Sequence, residues 1–124
     1  MKIRVLDGTY AVGKLKDGSG VPERPQDDSF YSVTITQEEI SIVCVQERMP
    51  PCEEIETDFA LLKVEGILDF SLTGILAKIS GVLAEAQVSI FCISTYNTDY
   101  VLVRRRNLER ATQALGAHGY ELII

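Results

Sequence analysis

Cysteine is scarce in this sequence, and its spacing does not fit the usual roles of the residue. The 124 residues contain Cys44, Cys52 and Cys92, an odd number with no Cys-x-x-Cys pair. That spacing indicates neither a disulfide framework nor a zinc site. We therefore expect three small hydrophobic residues in a reducing compartment, and neither a metal nor a cofactor.

Long apolar runs are also missing. No run approaches the roughly 20 residues that a membrane-spanning helix needs. The first seven residues, Met-Lys-Ile-Arg-Val-Leu-Asp, alternate as a strand does and lack the apolar segment of a signal peptide. The sequence therefore predicts a cytoplasmic protein with no membrane partner.

Positive charge is in the minority, with 12 lysines and arginines against 18 aspartates and glutamates, a formal net charge of −6. Because nucleic-acid binding requires a positive field, we expect no nucleic-acid partner. Arg104, Arg105 and Arg106 form a local exception. They lie between a predicted strand and a predicted helix, where a solvated connection is a simpler interpretation than a phosphate site.

Groups that could carry catalysis are few. The sequence has one histidine, His118, near the end of the last predicted helix, and Cys92 has no histidine close to it in the sequence. Neither a Gly-Lys-Ser loop nor a Gly-x-Gly-x-x-Gly motif is present. With no visible pair of nucleophile and base, we predict that the chain is not an enzyme.

The strongest positive signal is a β-hairpin over residues 88–104. Residues 88–96 are rich in β-branched and aromatic side chains, Asn97-Thr98-Asp99 has turn chemistry, and Tyr100 resumes the strand pattern. Alternation along the first strand predicts apolar side chains on both faces, with Val88, Ile90 and Cys92 on one and Phe91 and Ile93 on the other. Something should therefore cover each face.

The elements around this hairpin complete a recognisable order. A strand is predicted at residues 59–64 and a helix at residues 72–85, capped by Ser71. A second helix follows Asn107, with Leu108, Ala111 and Leu115 on its inner face, and a last strand covers residues 120–124. This βαββαβ order predicts an α+β, ferredoxin-like fold with both helices on one face of a four-stranded antiparallel sheet. The other face then needs a partner sheet, a ligand or another subunit.

The first half of the chain is less regular. Strands are predicted at residues 2–6 and 9–15, joined by an Asp7-Gly8 hairpin turn, and at residues 30–36 and 40–45. Residues 16–29 read as a loop, and at most one short helical turn fits residues 48–58 after Pro50 and Pro51. Residues 32–44 align without a gap on residues 92–104, an offset of sixty. We therefore predict that residues 1–58 are a degenerate, β-rich relative of residues 59–124.

Several residues could contribute to a binding site, each with a simpler alternative. The loop before the first helix offers free amides that suit a carboxylate. Asp69 in that loop could hold an ammonium or guanidinium group, or be a solvated loop acid or helix cap. Ser94, Thr95 and Thr98 offer hydroxyls, which cross-strand packing explains equally well, and Asp99 could simply stabilise the hairpin turn.

Residues 66–76, Gly-Ile-Leu-Asp-Phe-Ser-Leu-Thr-Gly-Ile-Leu, and residues 88–103, Val-Ser-Ile-Phe-Cys-Ile-Ser-Thr-Tyr-Asn-Thr-Asp-Tyr-Val-Leu-Val, together resemble the ACT domain. The resemblance is to the branch shared by small bacterial tandem-ACT proteins and eukaryotic cytosolic arginine sensors, which is related to aspartate kinase regulatory domains. The most specific part is the segment from Ser94 to Val103. The resemblance as a whole covers residues 59–124 well and extends more weakly to a degenerate ACT-like unit at residues 1–58.

The resemblance implies a non-catalytic regulatory module that binds an amino acid where two ACT units meet. The implied ligand-binding residues are Gly66, Ile67, Leu68, Asp69, Ser89, Ile90, Thr95, Tyr96 and Asp99. One chain carries a single good copy of each group, so a complete site implies a homodimer. The alternative is an interaction or dimerisation domain with no ligand, since the chain has no kinase domain to regulate.

Overall fold

A computed structural model of the chain describes residues 1–27, 29–69 and 73–124, and within them the fold is α+β, as expected. The strands are β1 (Lys2–Val5), β2 (Tyr10–Leu15), β3 (Tyr31–Ile35), β4 (Ile40–Val45), β5 (Cys52–Val64), β6 (Ile90–Ser94), β7 (Asp99–Arg104) and β8 (Glu121–Ile123). The helices are α1 (Ile75–Glu85) and α2 (Leu108–Ala117), and single 3₁₀ turns cover Gln46–Arg48 and Arg105–Asn107.

The chain divides into two compact units, which we call the main unit and the inserted unit. The main unit comprises Met1–Asp7 and Phe59–Ile124, and the inserted unit is Gly8–Asp58. Met1–Asp7 thus group with the second half of the chain. The assignment of residues 1–58 and 59–124 to two related units stays a prediction.

The main unit contains the predicted βαββαβ order, with one strand added to its sheet. β5 pairs antiparallel with β7, and β7 pairs antiparallel with β6. β1 pairs antiparallel with β5 on one side and parallel with β8 on the other. The prediction of a four-stranded, all-antiparallel sheet was therefore wrong by one strand. The Asp7-Gly8 hairpin was also wrong, because the hydrogen-bond partners of β1 are distant in sequence and its local pattern does not record them.

Both helices of the main unit pack on the same face of its sheet, as predicted. The core between them contains Ile79, Val82 and Leu83 of α1 and Ala111 and Leu115 of α2, packed against alternate residues of the strands. Full burial of a side chain such as Leu83 contributes about 1.5–3 kcal/mol. Neither helix in the described part of the chain has the length and apolar character needed to cross a membrane.

The start of α1 differs from the prediction. The helix begins at Ile75, three residues later than expected, because Gly74 has a φ of 77° and therefore cannot continue a right-handed helix. The predicted cap Ser71 and first residue Leu72 lie outside the described residues. Within the described residues, no side chain caps α1.

Both helices end in the same hydrogen-bonded motif, in which a residue with positive φ follows the helix. After α2 that residue is Gly119, and the amide of Tyr120 donates to the carbonyl of Leu115 at 3.1 Å. After α1 it is Gln87, and the amide of Val88 donates to the carbonyl of Leu83 at 2.9 Å. Glycine is the usual residue at this position, whereas glutamine at position 87 is not a sequence signal for a helix end.

The sheet face opposite the helices carries both buried and exposed side chains. The register aligns Leu61, Leu102 and Phe91 across three strands. Leu61 and Leu102 are fully buried, whereas Phe91 on the edge strand β6 is 38% exposed. We expected something to cover this face, and at Phe91 of β6 the face is partly exposed.

The inserted unit is built from strands and lacks both helices of the main unit. β4 pairs with β3 and β2, and β2 also neighbours β5, which begins in this unit. A small core forms around Leu15, Ile42 and Cys44. The segment after the two prolines, for which at most one helical turn was predicted, is a strand: β5 begins at Cys52 and continues to Val64.

The two hairpins that suggested a repeat have equivalent turns 59 residues apart, rather than sixty. Ile35 and Ile40 close the first hairpin, and Ser94 and Asp99 close the second. The turns match: the amide of Thr36 donates to the Glu39 carbonyl at 2.9 Å, and that of Thr95 to the Thr98 carbonyl at 2.8 Å. The 3₁₀ turns that follow are also 59 residues apart. The gapless alignment was wrong by one residue, which exchanges the two faces of every strand.

Candidate ligand-binding site

A cavity of about 330 Å³ opens in the main unit where three segments meet. These are the loop after β5, the first residues of α1 and the turn between β6 and β7. The residues that line it are Leu68, Asp69, Gly74, Ile75, Leu76, Ala77, Ser94, Thr95, Tyr96, Asn97, Thr98 and Asp99. We call this the main cavity.

Two hydrogen bonds fix the loop after β5 to the hairpin turn. The Leu68 amide donates to the carbonyl of Asn97 at 2.7 Å. The hydroxyl of Thr98 donates to the carbonyl of Val64 at 2.6 Å, and this side chain is only 4% exposed. Buried hydroxyls are costly unless paired, so Thr98 fixes the position of the cavity wall. Its role is structural, which the sequence left open.

The turn between β6 and β7 presents Asp99 to the cavity. Thr95 shapes the turn, since its hydroxyl donates to the carbonyl of Thr98 at 3.1 Å. The hydroxyl of Ser94 donates to Oδ1 of Asp99 at 2.5 Å across the strand pair. This bond supports the interpretation that Asp99 stabilises the hairpin, and it also fixes the carboxylate at the cavity.

The charged groups that line the main cavity are both acids. Among the described lining residues these are Asp69 and Asp99, and none is a lysine, arginine or histidine. The start of α1 also lines the cavity, and there the backbone amides of Ile75, Leu76 and Ala77 carry the positive end of the helix dipole. The cavity therefore offers two carboxylates to a cationic group and helix amides to an anionic group. Burial, with Asp99 nearby, raises the pKa of Cys92, so this thiol is neutral at pH 7.

The structure brings together five of the nine residues predicted for the site. Leu68, Asp69, Thr95, Tyr96 and Asp99 line the main cavity. The other four, Gly66, Ile67, Ser89 and Ile90, do not line it.

Gly66 and Ile67 belong to the loop after β5, and Ser89 and Ile90 lie where β6 begins. Ile67 points away into solvent, with 81% of its surface exposed. Ile90 begins β6, four residues from Ser94 at the cavity end of the same strand, a separation of about 13 Å. Ser89 and Ile90 are therefore at the far end of β6 from the cavity of their own chain.

Sequence reasoning did not assign Gly74, Ile75, Leu76 and Ala77 to the site. The free amides were expected earlier in the chain, because the predicted start of α1 was three residues too early. The Thr73-Gly74 pair carried the missing signal, since glycine adopts the left-handed conformation that separates a loop from a helix.

The described residues contain no cluster of three or more histidine, cysteine or acidic side chains that could hold a metal ion. Burial raises the pKa of Cys44 to about 11 and also raises that of Cys52. Arg104 packs on the ring of Phe59, with 4.5 Å from its guanidinium carbon to the ring centre.

Two family models match the chain. The model described as the ACT domain matches residues 54–117, and a second model, described as an N-terminal domain, matches residues 8–51. The first match covers most of the main unit, and the second lies within the inserted unit.

Curated human proteins are similar to this chain. CASTOR3P is 33% identical over 101 residues, which are 71% of this chain and 62% of that protein. The protein named cytosolic arginine sensor for mTORC1 subunit 1 is 31% identical over 90 residues, 64% of this chain and 27% of that protein. The chain thus spans less than two thirds of the length of these relatives.

Solved structures share the whole fold. A crystal structure of a protein from Agrobacterium tumefaciens has a TM-score of 0.86 and 30% identity, and covers 98% of this chain and 91% of its own. The ligand-free regulatory subunit of aspartate kinase from Thermus thermophilus has a TM-score of 0.65 and 11% identity, with 94% and 96% covered. The second likeness is one of fold.

Proposed function

Because the chain belongs to the ACT domain family, we propose that it is a non-catalytic regulatory module that senses a free amino acid in the cytosol. The observation that carries the proposal is the main cavity, which Asp69 and Asp99 line together with the first residues of α1. The relative named a cytosolic arginine sensor supports both the ligand class and the compartment.

The two sides of the main cavity match the two charged ends of an amino acid. The ligand carboxylate would accept hydrogen bonds from the amides at the start of α1. Its ammonium group would donate to Asp99 or Asp69. Hydrogen bonds to charged groups contribute about 1.5–3 kcal/mol each, so two such contacts suffice to orient a small ligand.

The same charges favour a basic side chain on the ligand. Two carboxylates, with no cation among the described lining residues, would repel a second ligand carboxylate and attract an ammonium or guanidinium group. Arginine and lysine are therefore the first candidates, and the name of the human relative favours arginine.

The far position of Ser89 and Ile90 is consistent with a site completed by a second copy of the chain. β6 is an edge strand of the main unit, and its five residues, Ile-Phe-Cys-Ile-Ser, carry no charge that would oppose pairing. If two β6 strands pair antiparallel about Cys92, Ile90 of one copy lies opposite Ser94 of the other. Each cavity would then receive Ser89 and Ile90 from its partner.

Calorimetric titration with the common amino acids tests the proposal. We expect saturable binding of a basic amino acid, lowered about tenfold or more in Asp99→Ala and Asp69→Ala because each variant removes a charge-assisted contact. Glu53→Ala, an exposed acid on β5 outside the main cavity, is the matched control and should bind as the unmodified chain does.

The alternative function, a dimerisation domain without a ligand, predicts a different result of the same titration. The chain would then be dimeric in sedimentation experiments, and no amino acid at millimolar concentration would produce heat beyond dilution. That result would end the sensor proposal and leave the fold and the edge strand unaffected.

A further inference from the structure

The sulfur-containing side chains of the inserted unit lie together in its small core. They are Cys44, Met49 and Cys52. Cys44 is part of that core, and Met49 and Cys52 pack against it. Both cysteines are free thiols. We call these three side chains the sulfur cluster, and none of them belongs to the site proposed above.

Gly13 on β2 brings two of these sulfur atoms close together. A Cβ atom at this position would lie 2.5 Å from Sγ of Cys52 and 3.1 Å from Sδ of Met49. Because both distances start from the same point, the two sulfur atoms cannot be further apart than the sum of these distances. They therefore face one gap, which exists because position 13 has no side chain.

The strand register places Cys44 beside the same gap. β2 lies between β4, which carries Cys44, and β5, which begins at Cys52. Cys44 pairs with Ala11, and Ala11 and Gly13 point to the same face of the sheet because they are two residues apart. These two small residues put no bulky side chain between the cysteines. In agreement with this proximity, Cys52 adds to the effect of burial in raising the pKa of Cys44.

The sulfur cluster is closed towards the core and accessible from solvent. Cys44 is 1% exposed, whereas Met49 and Cys52 are half-buried. The thiol of Cys52 donates to the carbonyl of Pro50 at 3.1 Å, and a thiol is a weak donor, so this bond is readily exchanged for a stronger contact. A small ion can therefore reach Met49 and Cys52 from solvent, and Cys44 completes its coordination from the core.

We infer that the sulfur cluster is a binding site for Cu(I), with the thiolates of Cys44 and Cys52 and the thioether of Met49 as ligands. Thiolates and thioethers are soft donors that suit Cu(I), whereas Mg²⁺ and Ca²⁺ prefer oxygen. Zn²⁺ fits this set less well, because a structural zinc site has four ligands from cysteine, histidine or acidic side chains.

Binding at this site is an exchange of protons for a metal ion. The two thiols release their protons to solvent, two bonds form between copper and thiolate, and the thioether adds a third, neutral donor. The oxidation state of the metal does not change. The site lies within the inserted unit and does not depend on the amino-acid site.

Titration of the full chain with Cu(I) in the absence of oxygen, in competition with a chromogenic Cu(I) chelator, tests the inference. We expect one Cu(I) per chain. Loss of a group that merely orients a metal ligand weakens binding by about 10–100-fold, so Cys44→Ser and Cys52→Ser, which remove a ligand, should each weaken it by about 100-fold or more. Cys92→Ser, in the main unit, is the control and should leave binding unchanged.

Met49→Leu provides a test in which the core keeps its volume. It should weaken Cu(I) binding by about tenfold, because it removes the neutral donor and leaves both thiolates. Circular dichroism checks that each variant is folded. X-ray absorption spectroscopy of the loaded chain should show sulfur as the nearest neighbour of copper.

Three results would overturn the inference. One is equal Cu(I) affinity in Cys44→Ser and Cys92→Ser, which indicates non-specific binding to thiols. Another is unchanged affinity in a folded Met49→Leu variant. The third is Zn²⁺ binding as tight as that of Cu(I), which would assign the cluster to a different metal.

Discussion

At the scale of single residues, the small core of the inserted unit depends on the absence of a side chain at Gly13. A Cβ atom at this position would lie 2.5 Å from Sγ of Cys52 and 3.1 Å from Sδ of Met49. The sulfur of Cys52 therefore occupies the space that any larger residue on β2 would need. This explains why glycine is found inside a strand, where it is otherwise unfavourable.

We predict that Gly13→Ala lowers the free energy of unfolding by about 1–3 kcal/mol, because the added methyl group displaces Cys52 and Met49. Chemical denaturation monitored by circular dichroism measures this change. The same substitution at Gly81, in the interior of α1 with no atom near its Cβ position, should raise stability by about 0.5–1 kcal/mol. Equal effects at the two glycines would contradict this explanation.

Cys44 gives the protein a predictable alkaline sensitivity. Burial, with Cys52 nearby, raises the pKa of its thiol from 9.0 to about 11. Between these two values the unfolded chain loses the proton while the folded chain keeps it. The stability that the neutral buried thiol provides is therefore complete below about pH 9 and is lost as the pH rises towards 11.

We predict that the free energy of unfolding falls between pH 9 and 11 by at most about 1.4 kcal/mol per pH unit from this thiol. In Cys44→Ala the decline over that interval should be shallower, although the variant is less stable overall because the core loses volume. Denaturation curves recorded at several alkaline pH values in both proteins measure the difference. Parallel declines would exclude Cys44 as the cause.

At the scale of elements, α1 ends with a residue poorly suited to its conformation. Gln87 has a φ of 60°, which glycine adopts at much lower cost. Its carbonyl accepts a hydrogen bond from Arg110 at 3.2 Å, and Val88 next to it is buried in the core. These contacts fix the chain direction between α1 and β6 despite the backbone strain.

We predict that Gln87→Gly raises the free energy of unfolding by about 0.5–1 kcal/mol, because the backbone conformation and both contacts are kept while the strain is relieved. Gln113→Gly, within α2, should lower it by about the same amount because glycine is unfavourable inside a helix. Thermal unfolding of the two variants tests this opposite sign. Destabilisation by both would show that the side chain of Gln87 matters more than its φ.

The strands show how far local sequence patterns determine elements. β4 was predicted to the residue, and β3 and β7 to within one residue at each end, because β-branched residues and polar turns mark their limits. β6 is two residues shorter at each end than the predicted 88–96. β5 was predicted at half its length, because its first half is rich in glutamate, which is uncommon in strands. Pairing with β2 outweighs this low propensity.

At the scale of the whole molecule, the proposed site depends on more than one copy of the chain. The uncharged edge of β6 and the exposed part of Phe91 are the features that the proposed dimer would bury. A charge at the centre of such an edge opposes its pairing with another strand.

We predict that Phe91→Lys shifts the chain from dimer to monomer in sedimentation experiments and also weakens amino-acid binding, because the partner's strand no longer reaches the cavity. Ile67→Lys places the same charge on a more exposed loop residue and should leave the dimer intact. Binding that persists in a monomeric Phe91→Lys variant would show that one chain holds a complete site.

The sequence by itself determined the β-hairpin of residues 88–104, the inner faces of both helices and the two acids of the main cavity. These features follow from alternation, helical periodicity and turn chemistry, which act over a few residues. Only the tertiary structure decided that β1 joins the main unit, that equivalent hairpin residues are 59 apart, and that Ser89 and Ile90 lie away from the cavity of their own chain. The reason is physical: strand partners and cavity walls are set by hydrogen bonds and packing between distant segments, and a local pattern of residue types is compatible with several such pairings.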